Sequence, residues 1–316
     1  MTFDRRIVVS CTVFALVVSL QLAYIALHGG LANDLFFPIC GGRAILDGVD
    51  PYGGACAIKD GEKEYPSNPL TAVVLALPFA PFGYLGAIVM WSSFVGILVF
   101  GILTHGQYWR LLIMASAPFW ASFSLLQWAP LMTALLFLPQ LMPLALAKPH
   151  LGLPVLVTYS TPRRLLACAV FGCATLLIDP YWPFKWLPQA LHYDGFIPIQ
   201  PLPSGPLLLG LLIFLELLDR RDWRTHFILL TALMPQRGFY DALPLGAVTT
   251  SPRELLAWSA LSWAGYAAGT ALHDRYAQFV VTFMFLPLVV ARVVQAVAVR
   301  RNDRSSVSAV HQTRVS

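Results

Sequence analysis

The stretch IVVSCTVFALVVSLQLAYIALH, residues 7–28, decides the fold. It contains no Asp, Glu, Lys or Arg, and at 1.5 Å per residue it is long enough as a helix to cross a hydrocarbon core of about 30 Å. Arg5 and Arg6 precede it, which is the charge order of a secretory signal. The apolar run is too long for a signal-peptide core, and no small-residue cleavage site follows it. Residues 7–28 are therefore expected to remain as a first membrane span.

The rest of the chain has the same character. Of its 316 residues, 57% are hydrophobic and only 12% are charged, against roughly 25% charged in an average soluble domain. A soluble fold has nowhere to bury that much apolar surface, so the bilayer is the expected solvent. Further apolar stretches lie near 69–82, 85–104, 110–126, 129–147, 150–160, 164–179, 205–218, 223–236, 240–251, 254–272 and 276–299, separated by Pro, Gly, Arg or Asp. Several fall short of the roughly 20 residues that a full crossing needs, so half-helices or re-entrant pieces are expected among them. The predicted fold is all-α: a polytopic transmembrane bundle of about a dozen helices filling residues 1–300, followed by a loose polar cytoplasmic tail, 301–316.

Orientation follows from the Lys/Arg bias of short loops. With the N-terminus inside, Arg5, Arg6, Arg163, Arg164, Arg220, Arg221, Arg224, Arg253, Arg300, Arg301, Arg304 and Arg314 are cytoplasmic. The same threading leaves Arg43, Lys59, Lys63, Arg110, Lys148, Lys185, Arg237 and Arg275 outside among acidic residues, and brings Gln127 toward the inside. Both termini of a multi-pass plasma-membrane protein are thus expected in the cytoplasm. The net charge of +5 does not point to nucleic acid, because the basic residues flank apolar runs rather than forming one patch with stacking aromatics.

Two outer segments are long. In the first, residues 29–68, Asn33 and Asp34 read as a helix N-cap, and Leu35 to Leu46 reads as an amphipathic helix on the membrane surface, closed by turns at Asp47-Gly48 and Asp50-Pro51. The second, residues 179–204, carries Tyr181, Trp182, Trp186 and Tyr193 among prolines, the composition of an interfacial belt. Cys11, Cys168 and Cys173 sit in apolar runs and read as small hydrophobes. Cys40 and Cys56 share the first outer segment, and their pairing is left open. No metal site is implied by the spacing.

Charged side chains near spans carry a cost of several kcal/mol unless they are paired or wet. Glu216 and Arg292 stand close to cytoplasmic ends, where snorkelling suffices. The outer set is different. Asp34 follows the first span by six residues, with an N-cap as its ordinary reading. Lys148 precedes Pro149 at a helix start, a ready phosphate seat to which His150 adds a donor; an interfacial snorkelling lysine is the plain alternative. Arg237 stands before Tyr240 and Asp241, and an i,i+4 pair with Asp241 is its structural explanation. Gln127 falls at a helix break, and a pocket role for it requires a re-entrant fold there. If these groups converge, they supply what sugar transfer from a lipid phosphate to a hydroxyl requires: a base for the hydroxyl proton, and cations for the departing phosphate.

The segments Asn-Asp-Leu-Phe-Phe at 33–37, Leu-Asp-Gly-Val-Asp-Pro-Tyr at 46–52, Glu-Tyr-Pro-Ser-Asn-Pro-Leu at 64–70, Leu-Pro-Phe-Ala-Pro-Phe at 77–82, Leu-Leu-Gln at 125–127, Ala-Lys-Pro-His-Leu-Gly-Leu at 147–153 and Tyr-Asp at 240–241 together resemble the polyprenol-phosphate-sugar-dependent glycosyltransferases of family 87, in the GT-C superfamily. The resemblance implies a GT-C bundle with its active site on the outer face. It implies Asp34 as base and Lys148 in the donor-phosphate site; the residue reading adds Arg237 and His150 to that site, and Gln127, Tyr240, Asp241 and Tyr65 are expected around the pocket. It further implies a mannose-like hexose, a polyprenyl-phosphate donor, a lipid or glycan acceptor, inversion, and no cofactor or metal. The family's usual Tyr-Pro-Pro is here Tyr-Pro-Ser at 65–67, and the chain leaves little room for additional C-terminal spans. Competing expectations are a lipid or small-solute transporter or flippase, and a noncatalytic membrane assembly subunit. The crowding of charge at one rim and the lack of an internal repeat weigh against transport.

Overall fold

In the computed structural model, residues 4–28, 34–53, 56–57, 63–64, 68–191, 195–200, 204–272 and 276–315 are described. The protein is helical almost throughout. Helix α1 (Arg5–His28) is followed by α2 (Phe36–Leu46), α3 (Leu70–Ala76), α4 (Gly83–Thr104), α5 (Ala117–Leu125), α6 (Ala129–Leu135), α7 (Pro149–Thr158), α8 (Pro162–Leu176), α9 (Trp182–Leu191), α10 (Ser204–Asp219), α11 (Trp223–Leu233), α12 (Leu243–Gly246), α13 (Pro252–Ala271), α14 (Tyr276–Val280) and α15 (Leu286–Val315). Short 3-10 stretches at Ala80–Phe82, Tyr108–Ala115, Pro139–Ala147 and Phe239–Ala242 join several of them, and one π-helical turn, Val281–Phe285, links α14 to α15. A two-residue antiparallel ladder pairs Cys56 with Glu64 and Ala57 with Lys63, and an isolated antiparallel bridge joins Phe196 to Gln236.

Three helical segments, Arg5–His28, Ala80–Thr104 and Tyr276–Arg301, are long and apolar enough to cross a membrane, as befits a membrane protein. Large apolar side chains stand exposed along several other helices, among them Leu166, Val170 and Leu177 on or just after α8 and Leu207 and Leu217 on α10. That outward greasy surface is stable in lipid, where apolar exposure carries no hydration cost. The tail expected to be loose instead continues helically from α15 to Val315. The belt segment also contains a helix, α9, whose Trp182 and Trp186 pack on Tyr52, Leu70 and Val73.

The polar contacts gather in two groups. In one, Arg6 acts on Tyr108 electrostatically, Arg110 donates to the Ala247 carbonyl, Tyr159 packs on Trp223, Arg292 pairs with Asp219 and Asp222, and Arg300 donates to the carbonyls of Leu217 and Leu218. The other holds Asp34, Gln127, Lys148, Arg237 and Asp241, with the Lys185 pairs to Asp50 and Asp179 formed separately.

This grouping corrects the threading at two places. Arg110 belongs with Tyr159, Arg224 and Glu254, its electrostatic neighbours, and not with Lys148 and Arg237, beside which the threading put it. Gln127 belongs with Lys148. The reason lies in residues 129–147, which read as a crossing but form a hairpin: Gln127 and Lys148, just beyond its two ends, hydrogen-bond each other at 2.8 Å. A segment that returns to its own start does not cross a bilayer. At its far turn the Phe137 carbonyl meets the His105 ring nitrogen at 2.7 Å, and Leu131, Met132, Ala134 and Leu135 are fully buried.

Candidate functional site

Each charged group of the second set is held by its own local structure. Asp34 follows α1 in sequence and leads into α2, and its backbone N–H donates to the Leu125 carbonyl at 3.1 Å. It is not the cap of α2: the cap position is Leu35, and no side chain caps that end. The carboxylate is therefore turned elsewhere, toward Lys148 Nζ at 3.4 Å from Oδ2 and Arg237 Nη1 at 3.8 Å from Oδ1.

Lys148 ends the Pro139–Ala147 stretch and stands at φ −138°, ψ 82° before Pro149. A residue preceding proline is driven out of the helical region, so the chain breaks here and restarts as α7 with proline in its first turn. Just upstream, the Thr71 hydroxyl pins the Leu146 carbonyl at 2.6 Å. The ammonium is buried, with 7% of the side chain exposed. It donates to Gln127 Oε1 at 2.8 Å, lies 3.9 Å from Asp241 Oδ1, and sits 5.4 Å from the centre of the Tyr240 ring.

Gln127 reaches Lys148 from a tight turn after α5. Leu126 there adopts φ 47°, a left-handed conformation that side-chain-bearing residues avoid, and is the one non-glycine residue to do so among those described. The turn serves both partners at once: the Leu125 carbonyl takes the Asp34 amide, while the Gln127 side chain takes the Lys148 ammonium.

Arg237 is anchored on either side. Gln236 exchanges two backbone hydrogen bonds with Phe196, at 2.8 and 2.7 Å, and the Phe239 N–H donates to the Tyr276 hydroxyl at 2.6 Å. The i,i+4 relation with Asp241 is realised through the main chain, the Arg237 N–H donating to Asp241 Oδ2 at 2.7 Å, while the guanidinium lies toward Asp34. Asp241 is fully buried; its Oδ2 also lies 3.9 Å from His150 Nε2.

The fold thus brings together Asp34, Gln127, Lys148, His150, Arg237, Tyr240 and Asp241, contributed by four separate stretches of chain. Tyr65 lies outside the described residues. Sequence reading missed Thr71, Leu126 and Gln236, which set the backbone beneath the cluster; a left-handed leucine within an apolar run leaves no signature in composition. Formal charges balance, with two carboxylates against two cations; Arg237, Asp34 and His150 are the more exposed members, at 44%, 22% and 17% of the side chain, and Lys148 is more buried, at 7%. Among the described residues, no group of three or more His, Cys, Asp or Glu is arranged to hold a metal ion.

Two cavities lie apart from this cluster. One of about 620 Å³ runs between α2 and the Ala80–Gly83 corner, and one of about 410 Å³ lies between α1, α4 and the 139–141 stretch. Neither is lined by the converging charges. Cys40, on the wall of the first, is disulfide-bonded, while Cys11, Cys168 and Cys173 are free. No protein family, curated protein or solved structure matches the chain.

Proposed function

We propose that this protein is a multi-pass membrane glycosyltransferase of GT-C type that moves a mannose-like hexose from a polyprenyl-phosphate donor to a hydroxyl of a lipid or glycan acceptor. The group of contacts containing Arg6, Arg110, Arg164, Arg224, Arg292 and Arg300 is the basic one and faces the cytoplasm, with both termini. The cluster around Asp34 faces the outside of the plasma membrane.

The observation that supports the reading is a partly exposed carboxylate flanked by two cations within 4 Å, drawn from positions 114 and 203 residues further along the chain. In the reaction, the acceptor oxygen attacks the anomeric carbon from the face opposite the phosphate and the new glycosidic bond forms with inversion. Asp34 takes the hydroxyl proton, and the anomeric carbon–oxygen bond to phosphate breaks. Lys148 and Arg237 hold the phosphate as its charge grows, and His150 adds a hydrogen bond. Phosphate leaves without a general acid, so no metal or cofactor is required by the scheme. Gln127, Tyr240 and Asp241 keep the Lys148 ammonium in position.

The alternative is a lipid or small-solute transporter. The burial of the Lys148–Asp241 pair favours it, because intramembrane ion pairs often line substrate paths. One experiment separates the two. Purified full-length protein is incubated with a panel of polyprenyl-phosphate sugars and membrane extract, beside a folded Asp34→Asn variant. New glycoside from the wild type and none from the variant is the expected result. Equal product from both removes Asp34 as base, and movement of labelled lipid or solute without glycoside formation replaces the reading by transport.

A further inference from the structure

At the basic end, Arg110 is buried at 6% exposure. Its guanidinium donates to the Gln107 side chain and, at 2.5 Å, to the Ala247 carbonyl, and it stacks 4.5 Å from the centre of the Trp109 ring. None of these partners is a carboxylate. A buried cation with no carboxylate hydrogen-bonded to it is costly, and of the charges that act on it Arg224 opposes the cation more strongly than Glu254 favours it.

Tyr159, at the end of α7, collects the electrostatic influence of Arg224, Arg110 and Arg164 together, against that of Asp222 alone. Arg164 donates to the Tyr159 carbonyl at 2.8 Å from the first turn of α8. Arg224, in the first turn of α11, lies 5.3 Å over the Trp223 ring and pairs with Asp222 at 3.2 Å, yet its Nε is buried without a hydrogen-bond partner. Tyr159 itself packs on Trp223 at 5.4 Å. Three guanidiniums from three segments thus surround an aromatic platform of Trp109, Tyr159 and Trp223.

We propose that this seat binds the phosphate headgroup of an anionic phospholipid. A phosphate supplies the hydrogen-bonded anion that Arg110 lacks and acceptors for the neighbouring guanidiniums. The tryptophan and tyrosine rings suit the boundary between water and acyl chains, where an inner-leaflet headgroup lies. The seat is independent of sugar transfer and stands whether or not that reading holds.

The test is native mass spectrometry of the full-length detergent-solubilised chain, with dioleoyl-phosphatidylglycerol or dioleoyl-phosphatidylcholine added at equal concentration. Retention of phosphatidylglycerol over phosphatidylcholine is expected, with about fivefold weaker binding for each of Arg164→Gln and Arg224→Gln and no change for Arg43→Gln on α2. Retention in the wild type should also fall as salt is raised. Equal retention of the two lipids, or of phosphatidylglycerol by wild type and the Arg164→Gln, Arg224→Gln double variant, overturns the proposal. So does displacement of the lipid by inorganic phosphate at the same concentration, which would mark a free-phosphate site. Should the variants fail to fold, salt-insensitive lipid retention by the wild type is enough to reject it.

Discussion

Lys148 Nζ and Asp34 Oδ2 stand 3.4 Å apart across 114 residues of chain, and the lysine is the more deeply buried of the two. Its closest acceptor is a neutral amide, Gln127, and its other anionic neighbour, Asp241, is fully buried. Replacing Lys148 by Met therefore strands a buried carboxylate. The expected loss is about 3–5 kcal/mol, read as a drop in melting temperature of the detergent-solubilised protein. Adding Asp241→Asn to Lys148→Met should recover part of that loss. Strictly additive effects in this double-mutant cycle would mean that the pair is not coupled.

Asp34→Asn is expected to behave differently. Its side chain is partly open to solvent and its two cationic partners keep other contacts, so the change should cost about 1 kcal/mol or less, closer to an exposed ion pair than to a buried one. A melting temperature within a few degrees of wild type would make any loss of sugar transfer a loss of chemistry. Collapse of the variant would instead assign Asp34 a structural role.

The close approach of α7 to the stretch before it gives a third test. A Cβ built on Gly152 falls 2.1 Å from the Ala145 carbonyl oxygen and 2.7 Å from its carbon. Both are backbone atoms, so Gly152→Ala must push apart the two segments that meet at Lys148. The expected cost is about 1–3 kcal/mol, with weakened donor use because the ammonium moves with its backbone. Gly210→Ala on α10 is the control: nothing lies within 4 Å of its Cβ, and alanine should leave stability unchanged or raise it by about 0.5–1 kcal/mol. Equal melting temperatures for the two variants would show that the contact at Gly152 yields freely.

How far the sequence foretold this arrangement depends on the kind of signal each part leaves. The α1 span was legible from its uninterrupted apolar run, and the α7 start from Lys148-Pro149, because proline constrains the residue before it. Asp34, Lys148 and Arg237 could be named because charge at an apolar rim demands a partner. The level of Gln127 was misread since an apolar run of suitable length looks the same whether it crosses or doubles back; only the hydrogen bond between its ends reveals the hairpin. The capping role given to Asp34 failed for a related reason. Capping and ion pairing ask for the same residue type, and tertiary partners decided between them.

A last prediction concerns the clasp that Lys185 makes between α9 and the turn after α2. Lys185 on α9 lies 2.8 Å from Asp50 and 2.7 Å from Asp179. Burial alone would raise the Asp50 pKa, but hydrogen bonds from Lys185 and from the Tyr52 and Gly53 amides, with the ammonium's charge, hold it below the usual carboxylate value. Hydrogen bonds to Asp179 and Asp50 hold Lys185 above the usual lysine value. The signs fix the window. A depressed carboxylate contributes stability above its unfolded pKa and loses it as pH falls through the lower, folded value; a raised lysine contributes below its unfolded pKa and loses it as pH climbs through the higher, folded one. The clasp should hold α9 across the neutral range and release it in strong acid and in strong alkali. Because Lys185 and Asp50 are both more than a third exposed, the contribution is about 1 kcal/mol or less and screened by salt. Trp182 and Trp186 sit on α9 against Tyr52, Leu70 and Val73, so hydrogen exchange across residues 182–191 followed against pH reads the release directly. Lys185→Met should flatten that profile at both ends, and an unchanged profile would mean that apolar packing alone keeps α9 in place.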